Sequence, residues 1–307
     1  MNTATLSTHR LWAYLQMMRP ANIVTAWADI LAGFAASSFL LTSHLEQVTL
    51  TNMQPLAWLL LATTGLYGGG VVFNDVFDAE LDAKERPERP IPSGRASIQS
   101  ATLLGSVLLV LGVLAAAQVS WLSAFLAACI AVAALLYDAV SKHNSVVGPL
   151  NMGLCRGGNL MLGVSAVPAI LGEYWFLAVI PVIYIAAITT LSQGEVHGGK
   201  RVTGIVALLL IITVIAGLLG LGILKNYQVL AALPFITLFG VRVLLPFVKA
   251  YREPSPEQIR IAVKAGVLSL IVLDATVAAG FAGLPYGLLV LSLLPISIRL
   301  ARVFAVT

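Results

Sequence analysis

Read for hydropathy alone, the chain alternates long apolar runs with short polar connections. The runs fall at about 22–41, 55–77, 97–117, 121–138, 147–170, 174–192, 202–224, 227–249, 258–281 and 284–304. Nearly all hold about 18 to 25 residues, the number an α-helix needs to cross a hydrocarbon core of about 30 Å. A backbone in lipid must satisfy its own N–H and C=O groups, and a helix does so within one segment. The pattern predicts an all-α protein: a polytopic transmembrane helical bundle of nine or ten helices, forming a single domain over residues 1–307. The last two runs decide between nine and ten.

Composition narrows the class further. The chain is 59% hydrophobic and 10% charged, against about 25% charged in soluble domains. Its net charge of +4 is spread between apolar runs and does not form one patch, which argues against nucleic acid as a partner. Cys129 and Cys155 lie inside apolar runs without metal-ligand spacing, so a disulfide framework or zinc site is not expected. The first twenty residues show no apolar core with a small-residue cleavage site, and the first run is expected to stay in the protein. With the N-terminus placed in the cytoplasm, one side receives Arg10, Arg19, Lys84, Arg86, Arg89, Arg95, Lys142, Lys200, Arg201, Lys249, Arg252, Arg260 and Lys264, while the outer loops hold only Lys225. The bias predicts an integral membrane protein whose working face is cytoplasmic, and with no transit peptide visible the expected membrane is a bacterial plasma (inner) membrane.

The densest chemistry on that face is NDVFDAELDAKERPERPIPSG, residues 74–94. Asp75, Asp78 and Asp82 are offset by three and seven residues, which places them within about 60° on one helical face. Asn74 reaches the same face, and Glu80 points elsewhere. Three aligned carboxylates need a counter-ion, and Mg²⁺ shared with phosphate oxygens is a common solution. Lys84, Arg86, Arg89 and Arg95 follow among three prolines, a layout suited to a metal-bound diphosphate.

Other polar residues stand at or inside the runs, where burial is costly enough to make each a functional candidate. Arg19-Pro20-Ala21-Asn22 opens the first run, with Asn22 one turn inside and Asp29 two turns deeper. Asp29 is too deep for a diphosphate and is expected to line an apolar cavity or to pair within the bundle. Arg156 and Asn159 share a helical face, either as a pair joining helices or as contacts to a diphosphate or acceptor. Leu191–Arg201 reads LSQGEVHGGKR; its glycines allow close backbone approach, and Glu195, His197, Lys200 and Arg201 supply a carboxylate, an imidazole and two cations. His197 fits a ligand, a base or a solvated side chain equally. Asp138 ends the fourth run, either as a helix-end residue or as a polar wall of the same site.

Asn74, Asp75, Asp78 and Asp82 match NDxxDxxxD, and Arg89-Pro90-Ile91-Pro92-Ser93-Gly94 matches the run that follows that motif in the UbiA superfamily of intramembrane prenyltransferases. Arg19, Pro20 and Asn22 resemble the first-helix signature, so the chain resembles that family over essentially its whole length. The resemblance implies a bundle around a central cavity open to the membrane, Mg²⁺ as cofactor, and a prenyl diphosphate whose allylic C–O bond ionises before a small-molecule acceptor attacks. It implies metal binding by Asn74, Asp75, Asp78, Asp82 and Glu195, catalytic roles for Asp75, Asp78, Asp82, Glu195 and His197, and substrate contacts from Asn22, Asn74, Arg89, Arg156, Asn159, Lys200 and Arg201. The second family motif, DxxxD, departs here: Glu195 takes the first position and Gly199 the second. The GEVHGG run resembles the EboC-type UbiA-like group.

The expected function is Mg²⁺-dependent transfer of a polyprenyl group to an unidentified acceptor, an aromatic one among the candidates, within the lipid bilayer. The alternative is a non-catalytic UbiA-like protein that binds a lipid diphosphate or assists export of a secondary metabolite. An unrelated transporter would favour paired discontinuous spans, which the sequence does not display.

Overall fold

A computed structural model describes residues 3–37 and 53–304. Helices α1 (Thr3–Met18) and α2 (Pro20–Ala36) precede α3 (Gln54–Phe77), α4 (Ala79–Glu85), α5 (Ile98–Ala117), α6 (Trp121–Ala139) and α7 (Val147–Val164). The chain continues through α8 (Val179–Ser192), α9 (Arg201–Gly220), α10 (Val229–Arg252), α11 (Pro256–Ala282), α12 (Leu284–Leu291) and α13 (Leu293–Val303). Short helical turns extend α8 back into one Pro168–Ser192 span, and α12 with α13 forms another, Leu284–Val303. Eight spans are long and apolar enough to cross a membrane by length and composition. The two remaining long segments, α2 and α7, carry Asp29 and Arg156. Neither is among those eight spans, so the count among the described residues is eight against the nine or ten expected. The end of the first run and the 42–54 connection lie largely outside the described residues.

Sequence neighbours pack as hairpins, notably α3 with α5, α6 with α7 and α10 with α11. Helix α2 closes the bundle by touching α3, α7, α11 and α13, which is why fifteen of its residues are buried. Apolar surface facing lipid gains nothing from helix contact, so small residues that let backbones approach are what hold such helices together. Gly33 and Gly163 do this where α2 crosses α7. A Cβ on Gly33 would stand 2.1 Å from the Leu160 carbonyl oxygen, and one on Gly163 would stand 2.5 Å from that of Ile30. Neither obstacle is a side chain that can rotate away. Gly33→Ala is therefore expected to push α2 and α7 apart and cost about 1–3 kcal/mol, read as a lower thermal midpoint in lipid. A midpoint unchanged from wild type would contradict this crossing.

Two membrane-side grooves flank the bundle. One of about 640 Å³ lies between α6 and α7, lined by residues such as Val132, Leu136 and Leu154, and the other of about 260 Å³ lies between α3 and α5. Neither is lined by the carboxylates of residues 75–82.

Candidate active site

The first helix of the site ends within the motif. Helix α3 stops at Asp78, whose backbone leaves the helical path, and α4 restarts at Ala79. The single continuous helix used to align the three carboxylates is thus broken, and their convergence comes from side-chain pairing instead. Arg89 Nη1 lies 2.7 Å from Asp82 and 3.4 Å from Asp75, drawing both acids to one guanidinium. Arg19 Nη2 lies 2.8 Å from Asp75 and donates to the Asn74 amide oxygen at 3.2 Å. Lys142 Nζ pairs with Asp78. Asn74 Nδ2 donates to Asp138 at 2.8 Å and to Asp78 at 3.2 Å. Glu80 is exposed, pointing away from this cluster.

Local backbone explains how these cations are aimed. Arg19 caps α2 in the left-handed region, with φ of 48°, immediately before Pro20. That conformation costs a non-glycine residue roughly 1–2 kcal/mol, offset here by its two partners on α3. Arg89 begins a tight turn in which Ser93 N–H and Oγ both bond to the Arg89 carbonyl, at 3.0 and 2.7 Å. Gly94 follows with φ of 72°, a backbone that favours glycine. Arg95 bonds to Gln16 and to the Glu88 carbonyl, so it ties the turn to α1 and does not enter the cluster.

The carboxylates have oxygen to spare. Asp75 engages its cations through Oδ1 and Asp82 through Oδ2, while the second oxygen of each accepts no bond among the described residues. Among the described residues no three acid, histidine or cysteine side chains form a ready metal cage. Mg²⁺ does not require one, since it takes one or two carboxylates and completes its octahedron with water and phosphate. Hard oxygen donors on a face already lined with three cations therefore fit Mg²⁺ accompanied by a diphosphate.

The other expected site residues fall in two separate places. Arg156 and Asn159 are buried in the bundle interior. Arg156 lies 3.2 Å from Asp29 and donates to Thr25 at 2.5 Å, and Asn159 donates to Asp29 at 2.8 Å while accepting from Thr63 at 2.7 Å. Asn22 is buried on α2, its carbonyl accepting the Thr25 hydroxyl. Glu195, His197, Lys200 and Arg201 lie on the rim. His197, Lys200 and Arg201 are exposed, and neither Lys200 nor Arg201 forms an ion pair among the described residues.

The rim loop also accounts for its unusual glycines. A Cβ on Gly194 would meet the Gly199 backbone at 2.8 Å, and a Cβ on Gly199 would meet Ile259 at 2.9 Å. Gly199 N–H bonds to the Pro254 carbonyl. The loop thus crosses itself backbone on backbone against the start of α11, and a side chain at 199 would begin toward Ile259.

Glu195 is half-buried, with one carboxylate oxygen lacking a partner. Burial raises its carboxyl above the ordinary 4.5, and Arg86 and Arg260 pull it partly back. The folded protein thus takes this proton more readily than the unfolded chain does. Stability from Glu195 is greatest when it is protonated and falls as pH rises through the folded value. Glu195→Gln is expected to remove that decline, so thermal midpoints of the two proteins should converge near pH 4 and separate in favour of the variant near pH 7. Identical pH profiles would show that the folded environment leaves this carboxyl unaltered.

Two partners escaped sequence reasoning, Arg19 and Lys142 as counter-ions, while Asp138, for which a polar wall of this site was one of two readings, accepts from Asn74. The available signal was position, because each stands at a helix end on the face that carries the acidic motif.

A family model described as the UbiA prenyltransferase family matches residues 30–271. The chain is 34% identical over 191 residues to the digeranylgeranylglyceryl phosphate synthase of Methanothrix thermoacetophila, covering 61% of this chain and 68% of the relative. It is 31% identical over 196 residues to the enzyme of that name from Ignicoccus hospitalis, covering 64% of this chain and 61% of the relative. The matched stretch is thus about two-thirds of the first relative's length and less than that of the second. Among solved structures, one concerning digeranylgeranylglyceryl phosphate synthase in membranes aligns with a TM-score of 0.66 at 19% identity, covering 90% of this chain and 99% of that one. The apo structure of a UbiA homologue from Aeropyrum pernix K1 aligns with a TM-score of 0.66 at 15% identity, covering 84% and 97%. At these identities the likeness is one of fold.

Proposed function

This chain belongs to the UbiA prenyltransferase family, and from that premise we propose that it transfers a polyprenyl group from a prenyl diphosphate to a small-molecule acceptor within the membrane. The observation that carries the reading is the face where Asp75, Asp78 and Asp82 each hold a cation from a different part of the chain: Arg19, Arg89 or Lys142. Such a face offers both halves of what a metal-bound diphosphate needs, hard oxygens for Mg²⁺ and positive charge for phosphate.

Asn74, Asp75, Asp78 and Asp82 are the proposed Mg²⁺ ligands, with Glu195 on the rim as a further carboxylate. When bound, Mg²⁺ supplies charge neutralisation to the leaving diphosphate. Arg19, Arg89 and Lys142 bind phosphate oxygens, with Lys200 and Arg201 as the exposed cations nearest Glu195 in sequence. The apolar spans exclude water from the allylic carbon, which protects an electron-deficient centre from hydrolysis. Asn22 belongs to the substrate-facing set one turn below Arg19. Arg156 and Asn159 act from the interior as positioning residues, and His197 stands on the rim as a candidate proton acceptor. The working face is cytoplasmic by the distribution of basic residues. The reported relatives are archaeal, so they give no support to a bacterial membrane in particular.

The relatives' name directs the choice of substrates, since a digeranylgeranylglyceryl phosphate carries two geranylgeranyl groups. Purified protein in lipid should release diphosphate from geranylgeranyl diphosphate when given Mg²⁺ and a geranylgeranylglyceryl phosphate acceptor. Release with an aromatic acceptor and none with the glyceryl phosphate would reassign the acceptor class. The rim glycine at 199 favours one second reading, a lipid-diphosphate binding protein without turnover, and tight Mg²⁺-dependent binding with no release under either acceptor would support it.

A further inference from the structure

Two acids and one base meet in the interior of the bundle, well below the carboxylate face. Asp29 lies ten residues into the membrane from Arg19, or about 15 Å of helix. Asp274 on α11 neighbours it, and both side chains have 0% exposure. Arg156, 5% exposed, is the cation paired with this cluster, through Asp29. Its guanidinium lies over the Tyr67 ring at 5.5 Å. From α8, Tyr184 lies within electrostatic reach of Asp274, but its hydroxyl bonds to the Gly266 carbonyl at 2.7 Å. Arg242 on α10 reaches Tyr184 and forms no ion pair with either acid.

With both acids ionised, Asp29, Asp274 and Arg156 would together carry one uncompensated negative charge in the buried interior of the bundle. The hydrogen bonds made nearby go to Asp29 Oδ2, the Ala26 carbonyl and Thr25, while Arg156 Nη1, 3.2 Å from Asp29 Oδ2, and Arg242 Nε hydrogen-bond to neither acid. Asp29 Oδ1 and both oxygens of Asp274 are buried with no donor reaching them. An isolated charge in such a setting is removed by a proton or a partner.

We propose that Asp29 and Asp274 share a single proton, which makes the Asp29–Asp274–Arg156 cluster a neutral proton-binding site in the membrane interior. One proton turns one acid into the missing donor, giving α11 a direct bond to α2 and satisfying the orphaned oxygens together. A metal cation fits less well. Three carboxylate oxygens are free, the Asn159 carbonyl is committed to Thr63, and the guanidinium beside Asp29 repels a second positive charge. This proton site stands on its own residues and is independent of the prenyl-diphosphate reading.

Infrared spectroscopy of the full chain in lipid at neutral pH tests it. The wild-type spectrum minus that of Asp274→Asn should contain one protonated-carboxyl C=O band, shifted down in D₂O. The same band should be missing from Asp29→Asn, because Asp274 then becomes the ionised partner of Arg156. Asn imitates a protonated acid in shape and hydrogen bonding, so Asp274→Asn should fold and unfold within a few degrees of wild type. The proposal is overturned by a difference spectrum without the band, by a band that survives in both variants, or by an Asp274→Asn protein that no longer folds. A thermal midpoint that depends on Na⁺ or K⁺ at constant ionic strength, with no band, would assign the neutralising charge to a bound metal ion instead.

Discussion

Asp75→Ala and Asp78→Ala are each expected to lower Mg²⁺-dependent release of diphosphate from geranylgeranyl diphosphate by on the order of 10³-fold or more. Each removes a proposed metal ligand, and several kcal/mol of charge stabilisation on a leaving diphosphate corresponds to about three decades of rate. The two variants should differ in stability. Asp75 is the shared partner of Arg19 and Arg89, so its loss leaves two cations facing each other across a vacated carboxylate. Asp78 pairs with Lys142 alone, whose flexible stem can turn to solvent. Asp75→Ala should therefore lower the thermal midpoint more than Asp78→Ala does. Near-normal release from Asp78→Ala would remove this face from the chemistry altogether.

Arg89→Met is the second large expectation. One guanidinium spans Asp75 and Asp82, and both carboxylates are 8% exposed at the side chain. Without it, the two acids face each other with only Arg19 as a remaining cation on Asp75. Breaking a buried pair costs about 3–5 kcal/mol, but the cluster lies at a helix end open to the rim, so roughly 1–3 kcal/mol is expected. Turnover should fall further than stability, by on the order of 10²–10³-fold, as when one preorganised donor to a developing anion is removed. Arg89→Lys separates the two effects. A lysine restores charge but cannot reach both acids in fork geometry, so the midpoint should recover more than the rate. Equal recovery of both would mean that Arg89 acts only as a counter-ion.

Several features of this bundle were legible along the chain because they depend on local pattern. Ten apolar runs became helical segments, eight of them long and apolar enough to cross a membrane, since lipid leaves a backbone no alternative to internal hydrogen bonding. The acidic motif stood out because Asp75, Asp78 and Asp82 recur at helical spacing beside the proline-stiffened Arg89 turn. Asp29 was marked as too deep for a diphosphate, and of its two readings, lining an apolar cavity or pairing within the bundle, the structure shows a pair with Arg156. The break at Asp78 was not legible, because an offset rule assumes one continuous helix.

What the sequence determined by itself is therefore the membrane class, the helices and the residues with chemistry to offer. What only the tertiary structure decided is their pairing: Arg19 with Asp75 across 56 positions, Lys142 with Asp78 across 64, and Asp29 beside Asp274. Helical periodicity places residues on faces of one segment, but nothing in it says which faces will meet. That choice follows from where small residues such as Gly33 and Gly163 let backbones touch, and from the cost of leaving any charge in that interior without a partner.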